Sequence, residues 1–158
     1  MIYVVLGVDP GPTPGIVRLV VWPAEAATHL RADVVQCSAS ALEPVLNGLA
    51  DYPESSVALA YEAFVVGHRA ARSRTAGAGK ATRDMTRDLA EWAQHHDIPS
   101  HTYRATDVKP WAADERLEAA GLLEPTKGMR HARDAGRHAL FTAVKHYGLP
   151  DPLSARAR

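Results

Sequence analysis

The sequence has a single cysteine, Cys37, among its 158 residues. One thiol excludes an intrachain disulfide and a zinc site built from several thiolates. No apolar run approaches the roughly 20 residues that a membrane-spanning helix needs. Met1 is followed directly by a strand-like segment, without the basic region of a secretory signal. We therefore expect a cytoplasmic protein with no membrane partner.

The sequence also lacks net charge, since its 18 basic side chains balance its 18 acidic ones. The charges are nevertheless segregated along the chain. Residues 67–87 hold six basic side chains against one acid, and residues 126–158 hold seven against two. Clustered basic side chains are typical of proteins that bind phosphate backbones. The competing interpretation is that these segments are only solvent-exposed helix faces.

Two common catalytic motifs are absent. The stretch TAGAGKAT (75–82) suggests a phosphate-binding loop, but Arg74 stands where the first glycine belongs and Ala81 replaces the serine or threonine. No Gly-x-Ser-x-Gly sequence is present, so the chain has no nucleophile elbow of the hydrolase type.

Hydrophobic periodicity predicts an α/β domain with a mixed sheet, in which the first three strands form an antiparallel meander. Helices are expected to flank this sheet. A length of 158 residues suits one domain, which we place at residues 1–148, followed by a frayed tail at 149–158. The strands are predicted at 2–8, 15–22, 28–38, 55–64 and 98–105, and the helices within 38–52, 82–96, 109–123 and 128–148.

Two further features of this pattern concern surfaces. Residues 68–80 are poor in apolar side chains, so we expect a mobile basic loop there. In the helix that follows, Met85, Leu89 and Trp92 recur at helical spacing. Such a stripe belongs either to the core or to a dimer interface.

Acidic side chains stand at the ends of predicted buried elements. Asp9 ends the first strand and Glu62 lies near the end of the fourth, while His131 and Asp134 share one face near the start of the last helix. His138 lies four residues further on that face. Buried carboxylates close together repel one another, and a divalent cation removes that conflict. Oxygen-rich ligand sets of this kind suit Mg²⁺ or Mn²⁺.

These motifs resemble those of RuvC-like Holliday junction resolvases, which belong to the RNase H-like nuclease superfamily. The segment GVDPGPTPG (7–15) is similar to the family's Gly-x-Asp-Pro-Gly-x-x-x-Gly opening. The family places a glutamate at the end of the fourth strand, where Glu62 lies. It places two metal-binding residues three apart at the start of the last helix, as His131 and Asp134 are. The resemblance covers residues 1–148 and implies an RNase H-like fold, an α/β fold with a mixed five-stranded sheet in which three antiparallel strands precede two strands parallel to the first.

The resemblance implies a homodimeric endonuclease that resolves four-way DNA junctions, with two Mg²⁺ or Mn²⁺ ions per site held by Asp9, Glu62, His131 and Asp134. Most members carry aspartate where His131 stands, and an alternative alignment places His138 in the site instead. An aromatic residue often follows the family's glutamate and wedges into the junction, a role for which Phe64 is the candidate. The basic residues expected to contact DNA are Arg69, Arg72, Arg74, Lys80, Arg83, Lys109 and Lys127.

Other functions remain open on the sequence. A flap nuclease or an RNA–DNA hybrid nuclease would share the fold and the chemistry. Sugar-kinase or actin-like ATPases also begin with a strand and Asp-x-Gly, but they need two such domains. A non-catalytic DNA-binding module is a further class, against which Asp9, Glu62 and Asp134 argue.

Overall fold

The computed structural model describes residues 1–22, 30–53, 55–65 and 76–155, apart from the side chains of 76–78 and 155. The predicted mobile loop at 68–80 is wrong for residues 76–80, because a helix already begins at Ala76. The rest of that predicted loop, with Arg69, Arg72 and Arg74, lies outside the described residues.

The described residues form five strands, which are β1 (Ile2–Asp9), β2 (Gly15–Val21), β3 (Arg31–Gln36), β4 (Ser55–Glu62) and β5 (Ser100–Tyr103). They make one mixed sheet in the order β3-β2-β1-β4-β5. Strands β1, β2 and β3 pair antiparallel, whereas β4 pairs parallel to β1 and β5 pairs parallel to β4. The predicted arrangement of three antiparallel strands followed by two parallel strands is therefore confirmed.

Helices cover both faces of this sheet. The described residues contain a short 3₁₀ turn at Ala39–Ala41 and the helices α1 (Leu42–Ala50), α2 (Ala76–His95), α3 (Ala105–Trp111), α4 (Asp114–Ala119), α5 (Arg130–His146) and α6 (Pro152–Ala155). None of the helices in the described part of the chain is both long and apolar enough to cross a membrane.

The central strand β1 is apolar up to Asp9, and its middle residues are fully buried because helices cover both faces of the sheet. Successive strand side chains point to opposite faces. Leu6 accordingly packs with Leu89 and Trp92 of α2 on one side, while Val5 packs with Ala139 of α5 on the other. The stripe of Met85, Leu89 and Trp92 therefore belongs to the core within this chain.

Two glycines bring α5 onto the sheet at backbone distance. A Cβ atom at Gly7 would collide with the carbonyl oxygen of Ala135, and one at Gly15 would collide with the backbone of His131. Only glycine fits where two backbones approach this closely. The start of α5 is thus held against the ends of β1 and β2, next to Asp9.

The C-terminal segment is ordered against the domain. Leu149 and Pro152 are buried, and the guanidinium of Arg116 donates two hydrogen bonds to the Asp151 carboxylate, at 2.9 and 3.1 Å. The prediction of a frayed tail from residue 149 is therefore wrong over 149–155. A bidentate pair and two buried apolar side chains outweigh the tendency of a chain end to fray.

Candidate functional site

The carboxyl ends of two neighbouring parallel strands meet at one edge of the sheet. Asp9 is the last residue of β1 and Glu62 the last of β4, and Val8 is paired with Tyr61 in the register of the two strands. Asp9 and Glu62 therefore occupy equivalent positions on adjacent strands. Residues at equivalent positions point to the same face of a sheet. The strand pattern thus brings two carboxylates together at this edge.

His131 faces Asp9 from the start of α5. The Nδ1 of His131 lies 2.6 Å from Oδ2 of Asp9, and both side chains are largely buried. Burial raises the pKa of Asp9, and the negative charges of Asp134 and Glu62 raise it further, while the hydrogen bond and charge of His131 act in the opposite direction. The carboxylates at this edge therefore act on one another electrostatically, as the sequence predicts for a cation-binding cluster.

Asp134 lies on the same helix but has cationic partners. Lys109 Nζ lies 3.0 Å from Oδ2 of Asp134, and Arg137 donates a hydrogen bond to Oδ1. Burial acts to raise the pKa of Asp134, but the hydrogen bonds and charges of Lys109 and Arg137 outweigh it and hold the pKa below its usual value. Arg137 is also fixed by Asp114, at 2.6 Å. Asp134 is thus neutralised by two side chains.

His138 is buried beside Glu62. Its Nε2 lies 3.8 Å from Oε2 of Glu62, which is beyond hydrogen-bond distance, and neither ring nitrogen has a hydrogen-bond partner among the described residues. Buried polar groups are almost always paired with protein, water or an ion. An unpaired buried imidazole next to a carboxylate therefore indicates a position that a further group completes.

The donor chemistry of this edge fits a hard divalent cation, but the side chains are not assembled around one. Among the residues the structure describes, no three His, Cys, Asp or Glu side chains are grouped to hold a metal ion. His131 is engaged with Asp9, and Asp134 with Lys109 and Arg137. Cation binding by all of the predicted ligands thus requires these side chains to exchange partners. The raised pKa of Asp9 and the unpaired nitrogens of His138 are the features that fit such an ion.

A cavity of about 420 Å³ opens beside the two strand-end acids. Its lining includes Asp9, Glu62, Phe64, Arg104 and Thr106. The guanidinium of Arg83 lies 5.6 Å from the centre of the Phe64 ring. The structure thus places the predicted wedge residue at this cavity, next to the acids, and one predicted DNA-binding residue, Arg83, beside the Phe64 ring.

The remaining predicted DNA-binding residues that the structure describes are Lys80, Lys109 and Lys127, whereas Arg69, Arg72 and Arg74 lie outside the described residues. Lys109 is drawn to the site by Asp134. Lys80 pairs with Asp84 and Lys127 with Glu124, and both lysines are about three-quarters exposed.

The sequence analysis overlooked Arg104 and Arg137. Arg104 follows β5 directly and could have been found from the parallel order of the last two strands. Arg137 could have been found from its spacing of three residues after Asp134.

Comparisons with known proteins point to one fold. The sequence matches no protein-family model, and no curated protein sequence matches it. The structure is similar to that of T. thermophilus RuvC solved in complex with a Holliday junction substrate, with a TM-score of 0.55 and 24% sequence identity. The match covers 91% of this chain and 96% of that one. The RNase H-like fold of RuvC that the sequence predicts is therefore confirmed.

Proposed function

We propose that the protein is a metal-dependent endonuclease that resolves four-way DNA junctions. The observation that carries the proposal is the meeting of Asp9 and Glu62 at adjacent strand ends with His131 and Asp134 near the start of α5. The fold supports it, because a protein of the same fold was solved with a Holliday junction substrate. The segregated basic side chains supply the charge that a DNA backbone requires.

The proposed ligands of two Mg²⁺ or Mn²⁺ ions are Asp9, Glu62, His131 and Asp134, with His138 as the alternative to His131. Ions bound there would generate hydroxide from water and stabilise the charge on the leaving oxygen. Asp9 lies between Glu62 and the start of α5, which suits a ligand shared by both ions. Asp9 is only 13% exposed, which strengthens its electrostatic interaction with any cation.

Lys109 has a second proposed task. Its ammonium group forms a salt bridge with Asp134, and the lysine side chain is 44% exposed. When Asp134 turns to a cation, Lys109 loses its carboxylate partner and is free to bind a phosphate oxygen of the substrate. Arg137 remains held by Asp114 and by the carbonyl oxygen of Ala112. Lys109 is thus the mobile cation of the pair, and Arg137 the fixed one.

We further propose that the active species is a homodimer. A four-way junction is resolved by two symmetric cuts, and a twofold dimer presents two identical sites with matching symmetry. Sedimentation of the protein alone and with junction DNA measures this directly. A protein that remains monomeric on the junction would contradict it.

One observation favours a second candidate function, a non-catalytic DNA-binding module. Asp134 is neutralised by Lys109 and Arg137, and the described residues contain no assembled metal cluster. A module of this kind would bind branched DNA without cutting it. A flap or RNA–DNA hybrid nuclease would share the proposed chemistry and differ only in the substrate it cuts.

One experiment separates these functions. Purified protein is incubated with Mg²⁺ or Mn²⁺ and end-labelled four-way junction, flap, RNA–DNA hybrid or linear duplex. We expect paired symmetric incisions in the junction and none in the duplex, with Asp9→Asn as the inactive control. Binding without incision under every condition would favour the non-catalytic module, and incision of only the flap or hybrid would reassign the substrate.

A further inference from the structure

Arg104 stands out among the side chains that line the cavity. The guanidinium has no hydrogen-bond or ion-pair partner among the described residues, although it lines the same cavity as Asp9 and Glu62. Arg116 and Arg137, by contrast, are each held by carboxylates. An exposed guanidinium at a cavity, left unpaired by the acids that the structure describes, is available to an anion from outside.

The sheet determines where Arg104 lies relative to the acids. Pairing of β4 with β5 continues past the strand ends, because the Ala63 N–H donates to the carbonyl oxygen of Tyr103 at 2.9 Å. Arg104 therefore leaves the sheet directly beside Glu62, on the side away from Asp9. Neighbouring strands lie about 4.8 Å apart, so the backbone of Arg104 is roughly two strand spacings from that of Asp9.

Backbones this far apart are more easily bridged by two phosphates of one nucleic acid strand than by a single phosphate. Each DNA strand carries one phosphate for about every 3.4 Å of helix axis. A strand with one phosphate at the acids therefore has a further phosphate within this offset, if it runs along the cavity towards Arg104. The planar guanidinium binds two phosphate oxygens at once, which fixes orientation as well as position.

We propose that Arg104 binds the phosphate next to the one that is cut, so that the cavity is a subsite for one nucleotide of the cleaved strand. The cavity of about 420 Å³ is large enough for such a group. Arg104 is a positioning residue and takes no part in the chemistry. Its contact holds the strand in register with the acids. This inference rests on the proposed nuclease function.

The variants for the test are Arg104→Ala and Arg104→Lys, with Arg31→Ala as the matched control. Arg31 is also exposed and has no partner among the described residues, but it begins β3 at the opposite end of the sheet. Affinity for a four-way junction is measured by fluorescence anisotropy with Ca²⁺ in place of Mg²⁺, over a series of salt concentrations. Thermal unfolding checks that all variants fold like the wild type.

We expect Arg104→Ala to weaken junction binding by about tenfold and to reduce the salt slope by about 0.9, the value for one lost phosphate contact on duplex DNA. In Mg²⁺ the KM should rise more than the kcat falls. Arg104→Lys should keep the salt slope, because the charge remains. Arg31→Ala should match the wild type in every measurement.

Junctions in which a single phosphate is replaced by a neutral methylphosphonate identify the phosphate that Arg104 contacts. One of these replacements, on one side of the cleaved phosphodiester, should weaken junction binding by the wild type but not by Arg104→Ala. The reason is that the replacement and the substitution remove the same contact. Additive losses at every position, or an Arg104→Ala variant equal to Arg31→Ala, would overturn the inference while leaving the nuclease function standing. A wild type that binds no branched DNA would overturn the proposed function itself.

Discussion

Two acidic regions meet at the proposed site, and they differ in what balances their charge. At the strand ends, Asp9 and Glu62 face histidines, and burial with neighbouring carboxylates raises the pKa of Asp9. On α5, Asp134 is held by Lys109 and Arg137, which keep its pKa below the usual value. The first region has negative charge that a cation would stabilise, whereas the second already has its cations. Metal binding should therefore begin at the strand ends and reach Asp134 only after Lys109 is displaced.

The largest effect on cleavage is expected from removing a charge at the strand ends. Asp9→Asn keeps the size of the side chain and removes its charge, so cleavage in Mg²⁺ should fall by about 10³-fold or more, from the loss of several kcal/mol of transition-state stabilisation. Junction binding should persist or tighten, because it depends on basic side chains and the edge becomes less negative. Single-turnover cleavage and anisotropy measure the two properties. A variant that cuts at the wild-type rate would remove Asp9 from the chemistry.

The next prediction decides which histidine completes the site. If His131 is the ligand, His131→Ala should lose about 10²-fold or more in cleavage, and His131→Asp should cut while favouring Mg²⁺ over Mn²⁺, since carboxylate is the harder ligand. His138→Ala should then retain most of the activity. The reverse pattern would assign His138, whose Nε2 lies 3.8 Å from Glu62 and has no hydrogen-bond partner among the described residues. Metal titrations followed by Mn²⁺ electron paramagnetic resonance provide a readout independent of activity.

A smaller effect is expected from removing Lys109, which tests whether this lysine gives up Asp134 when metal binds. Lys109→Ala should slow cleavage by about tenfold to 10²-fold, because one charge that stabilises the phosphate is lost. It should also lower the apparent Kd for metal, since Asp134 no longer has to leave a lysine. Lys127→Ala serves as the control, because Lys127 is about three-quarters exposed and forms an ion pair with Glu124, away from Asp134. Unchanged metal affinity in Lys109→Ala would show that Lys109 does not compete for Asp134.

The smallest effect concerns the free energy of unfolding without metal. Neutralising Asp9 should raise it, whereas neutralising Asp134 should lower it. Because the folded-state pKa of Asp9 is raised, its ionisation above that pKa destabilises the fold. At pH 7 Asp9→Asn should therefore raise the free energy of unfolding by about 1 kcal/mol, and the gain should shrink as the pH falls through the raised pKa towards 3.8. Thermal unfolding in EDTA from pH 7 to 3 measures this.

Asp134→Asn should lower the free energy of unfolding at pH 7 by about 1–2 kcal/mol, because Lys109 and Arg137 lose a charged partner. The pKa of Asp134 is lowered, so its contribution is present above 3.8 and is lost as the pH falls through the folded pKa. If both variants changed the free energy of unfolding in the same direction at pH 7, the proposed difference between the two regions would be contradicted.

The elements that carry the site follow from local sequence. The apolar run from Ile2 to Val8 predicts a buried strand, and Asp9 follows it immediately. Glu62 ends a second such run, and the 3.6-residue period places His131 and Asp134 on one helix face. These predictions succeed because strand and helix periodicity depend on each segment's own pattern of burial.

Only the tertiary structure decided which partners these side chains take. Lys109 and Asp134 are 25 residues apart and Asp9 and His131 are 122 apart, so no local pattern relates them. Arg104 reaches the cavity because β5 lies beside β4, and the tail is ordered because Arg116 faces Asp151. The sequence by itself determined the sheet, the edge of the sheet where the acids gather and the helix that faces them. Hydrogen bonds between distant side chains depend on how those elements pack, and that packing decided which acids are neutralised and which are left for a cation.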